Sequence, residues 1–205
     1  MKPDRVQAFS DGIFAILITI LVLEFKLPSY TQGHLFESVI KQWPILFSYI
    51  LTYSYIGILW LFHHDLFNKL KTTTIMMNVI NLFSIFLITL LNYATVLLSE
   101  TISTENIPDM RFAFGIYDVV AFLISFSFVI IYLYLYQHPE ILKDEVVDKF
   151  NLKINRYPLT SMSLYLLAFL LNYVQIYVGL LFLILGIVFH AVAYFKTARV
   201  IHSSH

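Results

Sequence analysis

Within the 205 residues, the side chains best suited to chemistry fall in a few short stretches. Arg5, Phe9, Ser10 and Asp11 open the first apolar segment. Arg5 and Phe9, four apart, share one helical face, and Asp11 is turned well away from it. Trp60, His63 and His64 close the second segment, and Asn78 and Asn81 share a face of the third. This set suits hydrogen bonding between helices, or a proton relay from Asp11 to His63. The bland reading of Ser10 and Asp11 is a helix start with an acid favoured by the dipole. Adjacent histidines point about 100° apart on a helix, so His63 and His64 do not form the i, i+4 pair of a metal or haem site. His190 stands alone in the last segment and reads as a packing histidine. Ile16, Thr19, Ile20 and Leu23 recur at i, i+3, i+4 and i+7, one stripe along a helix. Its period does not say whether it meets lipid, protein or water. The Thr19 hydroxyl can be satisfied by the preceding turn.

The elements that must position these groups are membrane spans. The chain is 59% hydrophobic and 13% charged, against about 25% charged in a soluble domain. It cannot cover a water-facing surface, and its Phe and Tyr suit lipid contact and interfacial belts. No cysteine occurs, which excludes disulfides and thiolate metal sites. Zero net charge without a basic stripe gives nucleic-acid binding no footing. No removable signal peptide is expected at the N-terminus. About 20 apolar residues cross a bilayer. Charge-free runs at 42–64, 72–99 and 119–139 meet that length, and 157–195 is long enough for two spans joined near Asn172, Tyr173 and Gln175.

The reading is an all-α membrane protein of six helices, at approximately 6–27, 36–68, 73–100, 110–137, 156–173 and 176–200, forming a single domain over 1–205. Asp118 is expected near the headgroup end of the fourth span, and 138–153 as a solvated connector. The first span is the odd one: its charge-free core, 12–23, is about 18 Å long at 1.5 Å per residue. Acids at both ends, Asp11 and Glu24, suit a helix that borders water or protein rather than lipid.

Lys2, Arg5, Lys69, Lys71, Lys143, Lys149, Lys153, Arg156, Lys196 and Arg199 fall on one side of this topology, and only Lys26, Lys41 and Arg111 on the other. The bias predicts cytoplasmic termini. No phosphate-binding glycine loop, His-Glu-x-x-His motif or serine elbow is present, so an enzyme is not expected. Nor is there a Thr-Val-Gly-Tyr-Gly loop or an arginine ladder.

Arg5-x-x-x-Phe9-Ser10-Asp11, Trp60-x-x-His63 and Asn81-Leu82 resemble the transmembrane protein 175 family of potassium channels in its single-repeat bacterial form. The family often has a proline near the end of the third span, where this chain reads Leu91-Asn92-Tyr93. The resemblance implies a homotetramer in a prokaryotic plasma membrane, with the first helix of each subunit lining a central pore for potassium and no cofactor or resident metal. It makes Ile16, Ile20 and Leu23 apolar rings at the constriction, with Thr19 a polar ring between them. Arg5, Phe9, Ser10, Asp11, Trp60, His63 and Asn81 become the network that anchors the pore helix. The alternative is a proton-coupled transporter using Asp11 and His63. Partners would then be further copies of the chain and membrane lipid. Glu24 and Glu37 would add negative potential at the outer mouth, or Glu24 would pair with Lys26 or Lys41.

Overall fold

A computed structural model describes residues 2–147 and 157–202, with side chains as far as Lys196. Helix α1 (Pro3–Ile20) continues into a 3-10 turn at Leu21–Glu24. It is followed by short α2 (Leu35–Ile40), α3 (Trp43–Phe67), α4 (Ile75–Thr104) and α5 (Ile107–Gln137). After a 3-10 turn at Pro139–Ile141 and a one-turn α6 (Asp144–Val147), α7 (Tyr157–Val174) and α8 (Ile176–His202) complete the chain. Six helices are long and apolar enough to cross a bilayer, and the protein is an all-α membrane protein with those six spans.

Local sequence explains the ends. Pro3, Pro44 and Pro108 sit in first turns, where a missing amide costs little. The Thr74 hydroxyl and the Asn106 carboxamide oxygen accept from the amides of Met77 and Asp109, at 3.1 and 3.2 Å, and so cap α4 and α5. Glu105 turns left-handed (φ 54°) to end α4, leaving Asn106 as the only other residue between the two helices.

Three sequence expectations need correction. The second span, read as one helix over 36–68, is broken after Ile40, and α3 restarts at Trp43 with Pro44 in its first turn. The third and fourth helices, read as 73–100 and 110–137, close to a far tighter hairpin because the caps carry helix through Glu100, Asp109 and Arg111. Asp118 does not sit at the start of its span. It lies eleven residues into α5, about 16 Å along the axis, and is buried. Of the connector, residues 138–147 are described; Lys149, Lys153 and Arg156, and the side chain of Arg199, lie outside the described residues. Leu91-Asn92-Tyr93 is continuous helix within α4.

The core runs between α3, α4, α5, α7 and α8, with α1 laid against α3 and α4 at one edge. Lipid supplies no hydrophobic reason for helices to associate, so close packing and buried hydroxyl pairs must. Thr52 meets Thr95 at 2.6 Å and the Tyr117 hydroxyl at 3.1 Å, Ser84 meets Ser127 at 2.9 Å, and Ser161 donates to Ser125 at 3.0 Å. At one end the α3–α4 loop pairs with the segment after α5, where the Lys71 amide donates to the Ile141 carbonyl (2.9 Å) and the Lys143 amide to the Lys69 carbonyl (2.9 Å). Lys71 Nζ donates to Asp144 at 2.8 Å, and this cation holds the Asp144 carboxyl below the ordinary carboxylate range. At the other end Gln175 Oε1 accepts from the Tyr177 amide and turns α7 into α8.

Gly179 marks the closest approach in that hairpin: a Cβ there would lie 2.7 Å from the Asn172 Cα, a backbone atom that cannot move alone. Gly179→Ala is therefore expected to destabilise the protein by about 1–3 kcal/mol. Gly57→Ala, at a site with nothing within 4 Å, should be neutral in the same denaturation experiment in detergent. Equal stability of the two variants would refute this packing.

Candidate pore helix and its polar anchor

Helix α1 has two apolar stripes. Val6, Phe14, Leu17 and Leu21 are buried, with Gln7 and Ser10 among them. On the opposite side Ile16, Ile20 and Leu23 are 56, 42 and 71% exposed, and Thr19 is exposed with them. Both stripes follow helical spacing, so polar groups must decide which one turns inward.

The deeper polar contact joins α1, α3 and α4. His63 Nε2 donates to Asn81 Oδ1 at 2.7 Å, Asn81 Nδ2 donates to Ser10 Oγ at 3.1 Å, and Ser10 Oγ donates to the Val6 carbonyl at 2.9 Å. All three side chains are fully buried. The directions are mutually consistent, since each group uses a donor where its neighbour offers an acceptor. The His63 ring stacks on Phe67 at 4.4 Å and meets Phe14 at 5.4 Å, so its orientation is fixed from both sides.

A second contact lies one residue further along α1. Trp60 Nε1 donates to Asp11 Oδ1 at 2.8 Å, and His64 Nδ1 lies 3.3 Å from Asp11 Oδ2. Gln7 Nε2 reaches Asn68 Oδ1 at 3.1 Å and His64 Nδ1 at 3.0 Å. The two contacts of His64 Nδ1 need opposite proton placements: it accepts from Gln7 in one and donates to Asp11 in the other. Asp11 is thus held by protein rather than left against hydrocarbon, which accounts for an acid so close to the apolar core of the first span.

The geometry brings together Ser10, Asp11, Trp60, His63 and Asn81, and leaves two members of the expected anchoring network aside. Phe9 is 53% exposed, and Arg5 is exposed with no ion pair among the described residues. Both fall on the uncovered side of α1. Asp11 meets His64 rather than His63, so the pair named for a proton relay is not in contact. Sequence reasoning named His64 without giving it a partner and did not single out Gln7. The available signal was spacing: His64 is four residues after Trp60 and Gln7 four before Asp11, so each shares its partner's face. Thr19 Oγ1 donates to the Ala15 and Ile16 carbonyls at 2.9 and 3.0 Å, which leaves its oxygen lone pairs outward. Glu24 borders a cavity with Tyr49, Thr95 and Ser99. Among the described residues no three His, Asp or Glu side chains converge as a metal site.

The chain is a six-span membrane protein with a polar-anchored first helix, and comparison with known proteins shows what it resembles. The family described as endosomal/lysosomal potassium channel TMEM175 matches residues 5–91, which include both anchoring contacts. A potassium channel of Streptomyces collinus is 30% identical over 128 residues, 62% of this chain and 61% of that protein. A potassium channel of Chamaesiphon minutus is 29% identical over 202 residues, 95% of this chain and 93% of its own length. The crystal structure of a lysosomal potassium-selective channel TMEM175 homolog from Chamaesiphon minutus superposes with a TM-score of 0.80 at 26% identity, over 94% of this chain and 97% of that one. In sequence and in fold the chain resembles the TMEM175 channels in their single-repeat form.

Asn81→Ala strands two buried groups at once, the His63 Nε2–H and the Ser10 hydroxyl oxygen. It is expected to cost about 2 kcal/mol, and Ser10→Ala, which strands one amide hydrogen, about 1 kcal/mol. Unfolding of the detergent-solubilised protein reads both. An Asn81→Ala protein as stable as the parent would show that the buried contact does not hold α1.

Proposed function

We propose that the chain is a single six-helix channel domain over 1–205 that assembles as a homotetramer and passes potassium in preference to sodium. The observation that carries this reading is the two-sided character of α1: one face is pinned by buried polar contacts, while Ile16, Thr19, Ile20 and Leu23 are bare in the single chain. Four such faces around an axis make a pore. Ile16, Ile20 and Leu23 form apolar rings, and Thr19 adds outward oxygens between them. Ser10, Asp11, Trp60, His63 and Asn81 set the rotation of each pore helix without touching the ion. Arg5 and Phe9, on the same uncovered side of α1, border the entrance in this assembly.

Discrimination in such a neck comes from dehydration. A narrow apolar ring resists ions because it strips water without replacing it. Potassium is more weakly hydrated than sodium and loses less. No carbonyl filter is needed, and the selectivity is modest for that reason. The potassium-channel names of the Streptomyces and Chamaesiphon relatives support the choice of ion. This reading places the chain in a prokaryotic plasma membrane, and the Lys and Arg bias predicts that both termini are cytoplasmic. No cofactor or catalysis enters the mechanism, and the only partners are the other subunits and lipid.

Purified protein in liposomes is expected to pass potassium faster than sodium. Ile16→Asn and Leu23→Asn, which wet the rings, should raise total cation flux by roughly ten-fold, about 1.4 kcal/mol off the barrier. They should also bring the two ions closer together. A monomeric protein, or unchanged flux and selectivity in both variants, would overturn the pore assignment.

A further inference from the structure

Asp118 stands apart from everything the pore reading uses. It lies on α5, 1% exposed, and neither carboxyl oxygen has a hydrogen-bond partner. Its surroundings are protein on every side, because α5 packs against α4, α7 and α8. From these facts we infer that Asp118 is a proton-binding site inside each subunit, distinct from the pore helix.

The argument is one of charge and partners. An ionised carboxylate in such a place needs a cation or several N–H or O–H donors to offset lost hydration. Among the described residues no such group comes within hydrogen-bonding distance of it. On its own helix Tyr117 spends its hydroxyl on Thr52 at 3.1 Å, and Arg111, whose buried Nε has no hydrogen-bond partner, forms no ion pair among the described residues. From α4 no acid, lysine, arginine or histidine enters before Glu100. From α7 the Tyr165 hydroxyl makes no hydrogen bond to it. From α8 His190 Nδ1 is shared between the Gly186 carbonyl at 2.9 Å and the Tyr165 hydroxyl at 3.3 Å. With neither cation nor donor in place, a proton taken from water is the ligand that lets the carboxyl remain where it is. Neutral, it needs little of the solvation an anion would require.

The Tyr165 hydroxyl contacts His190 Nδ1 at 3.3 Å, and its ring packs against that of Tyr55 from α3 at 5.9 Å. His190 also borders a cavity with Tyr132, Tyr157 and Pro158, at the end of the bundle where α7 begins. This is a different place from the Asp11–His64 contact on α1, and it does not depend on the pore assignment: ion flux can fail its test and leave this site standing.

Infrared spectroscopy of the full chain in liposomes reads the proton directly. At neutral pH the wild-type protein is expected to show the carbonyl stretch of a protonated carboxyl. The band should shift when aspartate is labelled with carbon-13 at its side-chain carboxyl. Asp118→Asn should remove it, and Asp118→Glu, which keeps the acid, should keep a band that no longer responds to the aspartate label. Two results would overturn the inference. One is a wild-type spectrum at neutral pH without any label-sensitive protonated band. The other is a carboxylate band, lost in Asp118→Asn, that moves when potassium replaces sodium, since the occupant would then be a metal cation.

Discussion

A helix in lipid gains little from turning one apolar face inward rather than another, because the acyl chains outside are as apolar as the leucines within. The rotation of α1 is therefore a question of polar contacts, and the rest of the account depends on two of them. Asn81 bridges His63 and Ser10 in the buried layer, and Asp11 receives Trp60 and faces His64 one residue further along. Together they tie α1 to α3 and α4. Rotating α1 by half a turn would carry Ser10 and Asp11 to the uncovered side, leaving the Asn81 Nδ2 group without Ser10 and Trp60 and His64 without Asp11. Each of those losses costs on the order of 1–3 kcal/mol, more than any exchange of Phe14 for Ile16 could return.

The consequence is a helix with a fixed uncovered face. On a monomer that face would be ordinary lipid contact. In a ring of identical subunits it becomes shared surface, and a stripe of Ile16, Thr19, Ile20 and Leu23 meets its own copies. Apolar rings with one outward hydroxyl layer make a barrier that depends on hydration, and this is the physical basis for the proposed preference for potassium. In the proposed assembly the anchor and the constriction are separate devices on one helix: the anchor sets where the constriction points, and neither does the other's work. The buried carboxyl of Asp118 is a third device, in the part of the bundle built from α5, α7 and α8.

Much of the fold could be read from charge-free runs. The long ones at 42–64, 72–99 and 157–195 each contain the body of an observed span, and the polar residues near 172–175 mark the α7–α8 turn. What could not be read follows from the same simplicity. Phe14, Leu17 and Leu21 repeat the spacing of the Ile16 stripe, so periodicity alone gave two equivalent faces. His63 and His64 differ by one residue, and only the neighbouring helices show that the first meets Asn81 and the second Asp11. Asp118 read as the edge of a span because charge in an apolar run is normally a boundary. In the structure α5 begins well before it, and the bundle rather than the headgroups surrounds it.

The absence of cysteine gives a clean background for testing whether the bare face of α1 meets water. Single cysteines at Ile16, Thr19, Ile20 and Leu23, and at Phe14 and Leu17 on the pinned face, can be exposed in liposomes to a charged, water-soluble thiol reagent. The account predicts modification at the first four, with loss of cation flux, and none at the other two. Bare-face cysteines that ignore the charged reagent but react with a lipid-soluble maleimide would place that face against lipid and contradict it.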